Sequence, residues 1–186
     1  MDIQTTAIPE VKVITPARFG DQRGFFSEVY NRRAFAEAGI DVTFVQDNHS
    51  YSAQRGTLRG FHFQRPPATQ TKLVRVLRGA VIDVAVDCRV GSPTFGRHVM
   101  LELSAAAGNQ VLCPKGFAHA TLTMAPDTEV AYKVDAYYAR KLDLGIRFDD
   151  PDLAIPWPIP AHLMVLSNKD HRLPRFRDLP AVFTYP

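Results

Sequence analysis

Three short segments hold side chains that a packed core does not require. Arg55–Gln64 reads RGTLRGFHFQ. On a strand, Leu58, Gly60, His62 and Gln64 share one face, and Arg59, Phe61 and Phe63 share the other. A lone strand histidine is ordinarily a hydrogen-bonded core residue. Here Gly60 removes a side chain from the same face and leaves room for a ligand. Ala131–Tyr138 reads AYKVDAYY. A strand tyrosine is ordinarily amphipathic packing with its hydroxyl in water. As chemistry, Tyr132 offers a phenol as proton donor, and Tyr137 or Tyr138 offers a ring to stack on a flat ligand. Arg23 and Arg59 each adjoin a glycine and lie near aromatic residues, which suits bidentate recognition of a phosphate. Arg55 reads as solvated surface charge.

The third segment, Gly108–His119, reads GNQVLCPKGFAH. Glycine, proline six on, glycine two further and histidine three beyond match the second sequence motif of the cupins. The first three build a turn at a barrel corner, and His119 enters the barrel. Metal-binding cupins add His-x-His and a Glu from a first motif. This chain has only His62, followed by Phe63 and Gln64. Two imidazoles without a nearby carboxylate or thiolate make a poor transition-metal site. The cavity is therefore expected to work without metal.

The elements that must position these groups are short apolar runs at intervals of roughly 8–12 residues, the spacing of an all-β sandwich or barrel. Strands are expected at Val11–Thr15, Gly24–Tyr30, Val42–Tyr51 and Thr57–Phe63. Leu73–Leu77 is expected to pair with Val81–Val86 through a hairpin at Arg78–Gly79. Further strands fit His98–Leu103, Gln110–Cys113, Ala118–Thr123, Glu129–Val134 and Ile146–Phe148. One helix, Arg32–Ala38, has Asn31 as N-cap and Gly39 after it. In Val81–Val86 the face carrying Asp83 lines a polar cavity or meets solvent. The fold expected is all-β: a double-stranded β-helix, or jelly-roll barrel, with minor short helices.

The chain has 186 residues, which predicts one domain over residues 1–186. Hydrophobic residues make up 46% and charged residues 22%, which excludes a disordered chain. The net charge of +3 is too small to argue for nucleic acid and allows a small anionic ligand. Seven of the 14 prolines lie at or beyond Pro151, so the last fifth of the chain is an extended segment and not helix. The N-terminus lacks a signal-peptide pattern, and no apolar run approaches the roughly 18 residues of a membrane span. Cys88 and Cys113 lie in apolar runs 25 positions apart and read as reduced and buried. That places the protein in the cytoplasm.

Taken together, the segments resemble the dTDP-4-dehydrorhamnose 3,5-epimerase family. The likeness runs nearly end to end. It includes DQRGFFSEVYN (Asp21–Asn31), FVQDNHSYS (Phe44–Ser52), GTLRGFHFQ (Gly56–Gln64), KLVRVLRGAVIDVAVD (Lys72–Asp87), CPKGFAHA (Cys113–Ala120), DPDLAIPWP (Asp150–Pro158) and LSNKD (Leu166–Asp170). The resemblance implies a homodimeric cupin with no cofactor and no metal. It implies a dTDP-4-keto-6-deoxyhexose substrate, inverted at carbons 3 and 5. By the same resemblance His62 is the base and Asp170 its carboxylate partner. Tyr132 is the acid, and Lys72 steadies the enolate oxygen. Arg23, Glu28, Gln46, Asn48, Arg59, His119 and Lys169 take substrate-binding positions, and Tyr138 stacks on thymine. Asp143 stands where the family has a Glu against the nucleotide. One methylene shorter, it reaches that partner only through water.

These residue types suit the chemistry. Carbons 3 and 5 flank the carbonyl at carbon 4, so both protons are acidic through one enolate. Inversion needs a base on one face and an acid on the other. A rival reading inverts a single centre with the same residues. Another is a non-catalytic sugar-nucleotide binder, which would keep the arginines without needing the base and acid. A metal-dependent cupin oxygenase lacks its ligands here.

Overall fold

The computed structural model describes residues 1–185 and is built almost wholly of strands. In chain order they are β1 (Asp2–Thr5), β2 (Lys12–Thr15), β3 (Phe19–Asp21), β4 (Gly24–Phe26), β5 (Gln46–Ser52), β6 (Leu58–Gln64), β7 (Lys72–Arg78) and β8 (Ala80–Asp87). There follow β9 (Arg89–Val90), β10 (His98–Ser104), β11 (Gln110–Cys113), β12 (Phe117–Thr123), β13 (Thr128–Val134), β14 (Asp143–Gly145) and β15 (Phe183–Thr184). The single α-helix, α1 (Arg32–Glu37), starts where expected. The Asn31 side chain accepts from the backbone N–H of Arg33 and Ala34.

Two antiparallel sheets face each other as a jelly-roll barrel. One has the order β1-β2-β11-β7-β13-β5 and the other β10-β8-β12-β6-β14. Their inner faces meet in a core that includes Val74, Val76 and Val130 from the first and Val81, Ala85, Val99 and Leu103 from the second. The outer face of the first sheet is covered in part by α1 and the segment after it, with Phe35 and Ile40 on Ile14, Leu73 and Leu112. The outer face of the second is covered by the chain's last third, including Leu153, Trp157 and Phe183 on Phe61, Phe63 and Val86. Among the described residues no helix is long and apolar enough to cross a membrane.

The expected hairpin between Leu73–Leu77 and Val81–Val86 does not form. β7 pairs with β11 and β13, whereas β8 pairs with β10 and β12. The chain turns at Gly79 from one sheet into the other, so the valines of both strands meet across the core and not along one sheet. Three other expectations are trimmed. Strand pairing covers only Gly24–Phe26 of the Gly24–Tyr30 run, on an exposed two-stranded ribbon with β3. In Val42–Tyr51 the ladder begins at Gln46, because Val42 and Phe44 are apolar for packing against α1. The late strand is Asp143–Gly145, although Ile146 still exchanges backbone hydrogen bonds with Phe61. The short strands β1, β9 and β15 were not legible as runs.

The proline-rich segment is extended, with single 3₁₀ turns, and it is fastened at several points. The buried Asp150 accepts from the backbone N–H of Asp152, Leu153 and Phe176. Trp157 Nε1 donates to the Phe148 carbonyl. Val165 exchanges backbone hydrogen bonds with Gly56 and Leu58, each at 2.9 Å. Farther on, β15 pairs in parallel with β9. Beside it Arg89 is held by Asp87 and Glu10 and lies over the rings of Phe117 and Tyr185. The Val165 contact fixes where the next few residues, Ser167–Asp170, come to lie.

Candidate active site

A cavity of about 260 Å³ opens between the two sheets, lined by Arg59, His62, Lys72, His119, Tyr132, Ser167, Lys169 and Asp170 among others. It is the polar end of the interior. Along β7 the inward residues run Val76, Val74, Lys72, so the core grades into the site within one strand.

The β6 wall is shaped by a bulge. His62 lies opposite His119, but Arg59 lies opposite Thr121, so three steps on β6 match two on β12. The extra residue falls at Gly60–Phe61. Gly60 has φ +131°, and a Cβ there would come within 2.6 Å of both the Ala120 Cβ and the His119 carbonyl oxygen. This corrects the simple alternation, which set Arg59 and His62 on opposite faces. The bulge turns both into the cavity and sends Phe61 out beneath Trp157, with ring centroids 5.8 Å apart.

His62 Nε2 is 2.5 Å from Asp170 Oδ1. The second Asp170 oxygen accepts from the Ser167 hydroxyl at 2.9 Å, and Ser167 Oγ in turn accepts the Asp170 N–H. Burial works against charge on Asp170, but the His62 hydrogen bond and the Ser167 hydroxyl outweigh it. The carboxyl is held below its ordinary value. With Nε2 committed to Asp170, Nδ1 is the nitrogen free for chemistry.

Lys72 is buried, and Nζ donates to the His62 carbonyl at 3.2 Å. Burial lowers its pKa, opposed by Cys113, Asp83 and Asp143 nearby. Tyr132, on β13, stands on the wall opposite His62. Burial raises its pKa above that of a free phenol, against the pull of Arg59. Arg59 is anchored by the Tyr51 carbonyl and Ser52 Oγ.

At the rim the Tyr138 hydroxyl donates to Asp143 at 3.1 Å, and Lys169 Nζ meets the same Asp143 oxygen at 2.5 Å. Gln46 accepts from the Tyr138 N–H and donates to Asn48. The Tyr138 ring is 55% exposed and free to stack.

Seven of the residues anticipated from sequence therefore line one cavity, and Gln46, Asn48, Tyr138 and Asp143 form a bonded rim beside it. Arg23 and Glu28 do not join them. Arg23 is exposed on the β3–β4 ribbon, paired with Asp21, and Glu28 is exposed just after it. Two participants were not singled out as site residues. Ser167 orients Asp170, and Asp83 Oδ2 accepts from His119 Nε2 at 2.8 Å. For Asp83 the signal was present, as a lone acid on an inward strand face. Ser167, beside Asp170 in the LSNKD run, gave none. Both cysteines are free and buried, and burial pushes each thiol up to about 12.

Comparison with known proteins bears on the whole chain. The family model described as dTDP-4-dehydrorhamnose 3,5-epimerase matches residues 5–178. A protein of that name from Sinorhizobium fredii is 50% identical over 185 residues, covering 100% of this chain and 94% of its own. A crystal structure of the Bacillus anthracis enzyme of that name, with TDP and PPi bound, is 48% identical with a TM-score of 0.91, covering 94% of this chain and 98% of the other. The Legionella pneumophila dTDP-6-deoxy-D-glucose-3,5-epimerase, solved with dTDP-4-keto-L-rhamnose, is 43% identical. Its TM-score is 0.95, and 100% of this chain and 98% of that one are covered.

Proposed function

The chain belongs to the dTDP-4-dehydrorhamnose 3,5-epimerase family, and from that premise we propose how its cavity inverts carbons 3 and 5 of a dTDP-4-dehydro-6-deoxyhexose. The protein is an isomerase, and its product is dTDP-4-dehydro-L-rhamnose.

One observation carries the assignment of roles: a histidine held by a buried carboxylate and a protonated phenol face each other across the cavity from opposite sheets. His62 Nδ1 takes the proton next to the carbonyl. Asp170 holds the ring and stabilises the imidazolium that forms. The negative charge moves to the carbonyl oxygen, where the buried Lys72 ammonium stabilises it far more than it would in water. Tyr132, still protonated at neutral pH because burial raises its pKa, returns a proton to the opposite face. Solvent then restores both groups, and the second carbon follows through the same enolate chemistry. Neither step changes oxidation state.

The rest of the molecule holds the sugar in place for both events. Arg59, His119 and Lys169 meet the anionic and polar parts of the sugar nucleotide, with Gln46 and Asn48 at the rim. Tyr138 stacks on the base. Asp143, already committed to Tyr138 and Lys169, orders those two and reaches the nucleotide only through water. Arg23 and Glu28 serve a neighbour's cavity in a homodimer. Support for that comes from the ribbon itself, where Phe19, Phe25 and Phe26 are each more than 60% exposed. Two free, buried cysteines suit a reducing compartment such as the cytoplasm.

Tyr132→Phe separates the roles. In deuterated water the variant should lose substrate protons to solvent faster than it forms inverted product. Equal losses of exchange and of inversion would remove Tyr132 from the role of distal acid.

A further inference from the structure

His62 is not the only cavity histidine with its own carboxylate. His119 lies directly opposite it across the β6–β12 ladder and donates to Asp83 Oδ2 at 2.8 Å. The two pairs differ in one respect. In the first, both oxygens of Asp170 are engaged, by His62 and Ser167. In the second, Asp83 Oδ1 has no partner, and it is the one such buried side-chain atom among the described residues. Asp83 is 1% exposed and lies behind the cavity lining, so neither water nor substrate reaches it directly. A buried, half-satisfied carboxylate is costly unless a nearby charge compensates it.

The groups around it identify that charge. Lys72 projects into the same interior from β7 and is bonded only to the neutral His62 carbonyl. The charged and titratable groups acting on Lys72 come from four elements: Cys113 on β11, its cross-strand partner; Asp83 on β8; Asp143 on β14; and Lys169 in the C-terminal segment. Cys113, with its thiol pushed up to about 12, carries no charge at neutral pH. Asp143 is committed to Lys169 at 2.5 Å. His62, His119, Tyr132 and Arg59 complete the cavity wall, and Arg59 adds a like charge. Asp83 is the acidic group with an oxygen still to spare.

We infer that Asp83 is a positioning residue that works through two cavity groups at once: one oxygen fixes the His119 ring, and the other supplies the counter-charge that keeps Lys72 an ammonium during the reaction. The inference rests on Lys72 acting on the enolate oxygen, as proposed above. Asp83 itself touches no reacting atom. It makes the first-sheet cation and the second-sheet histidine parts of one charge arrangement.

The test is the pH profile of Asp83→Asn. Asparagine keeps an acceptor for His119 but loses the charge. Removing an opposite charge at this range moves an ammonium by roughly one pH unit or more. The alkaline limb of kcat/KM should therefore shift to lower pH by about that amount, and kcat at neutral pH should fall roughly 10–100-fold, the usual cost of losing such a supporting group. Tyr132 does not mimic this shift, since the charges that act on it are Arg59, Asp143 and Tyr138. Asp83→Ser is read the same way if the asparagine variant does not fold, and Asp83→Glu should restore the limb. Lys72→Met is run alongside. If Lys72→Met is inactive while the uncharged Asp83 variants keep the wild-type limb and turnover, the role of Asp83 is overturned alone. If Lys72→Met keeps wild-type turnover, the role of Lys72 falls and this inference with it.

Discussion

Gly60→Ala tests the link from backbone to site most sharply, because a second glycine serves as its control. Gly60 and Gly24 have nearly the same backbone, at φ +131° and +128°. Nothing lies within 4 Å of a Cβ built on Gly24. A Cβ on Gly60 meets Ala120 Cβ at 2.6 Å, His119 O at 2.6 Å and Ala120 Cα at 2.7 Å. Two of those three atoms are backbone, so no side chain can swing aside. Both substitutions carry the strain of a sparsely populated conformation, on the order of 1–3 kcal/mol. Gly60→Ala adds overpacking, about 1–3 kcal/mol more. For a chain of this size each kcal/mol lowers Tm by roughly 2–4 °C. Gly60→Ala should therefore melt several degrees below Gly24→Ala at equal protein concentration. It should also lose activity that Gly24→Ala does not lose for this reason, since relief of the clash separates β6 from β12 and moves His62 and Arg59. Equal melting temperatures for the two variants would refute the argument that close strand approach at the bulge shapes the site.

Two further outcomes follow from the charge pairs. Asp170 is held below its ordinary pKa, so its ionised form stabilises the fold at and above the usual carboxylate range, and that contribution is lost as pH falls through the folded value. The stability gap between wild type and Asp170→Asn, measured by urea unfolding, should be largest near neutrality and close below about pH 4. A gap independent of pH would contradict the ionic character of the pair. Arg89→Met should leave the fully buried Asp87 carboxylate without its cation, at a cost of roughly 3–5 kcal/mol. Unchanged thermal unfolding would mean that the clasp on the C-terminal segment contributes little.

Much of the architecture is written in local pattern. The valines of β7 and β8, the Asn31 cap and the Gly108–His119 turn each announce their element, because each is governed by neighbours in sequence. What sequence pattern misplaced depends on distant partners. The turn at Gly79 looks like a hairpin until the two sheets compete for the same valines. Arg59 alternates away from His62 until the bulge inserts one residue, and Gly60 was the visible sign of it. The His62–Asp170 pair spans 108 positions, and no periodicity reaches that far. Only resemblance joined them, and the backbone bridge at Val165 is what brings them together. Asp83 was legible as an inward acid, but not as the partner of His119, because that pairing depends on β12 lying beside β8.

The account as a whole is tested most directly by counting deuterons. Product formed in deuterated water should carry deuterium at both carbon 3 and carbon 5 when the wild-type protein is used, and His62→Ala should introduce none at either while still binding dTDP. Deuterium at one carbon only would make the protein a single-centre epimerase. Continued exchange in His62→Ala would remove His62, and the pair it forms with Asp170, from the role of base.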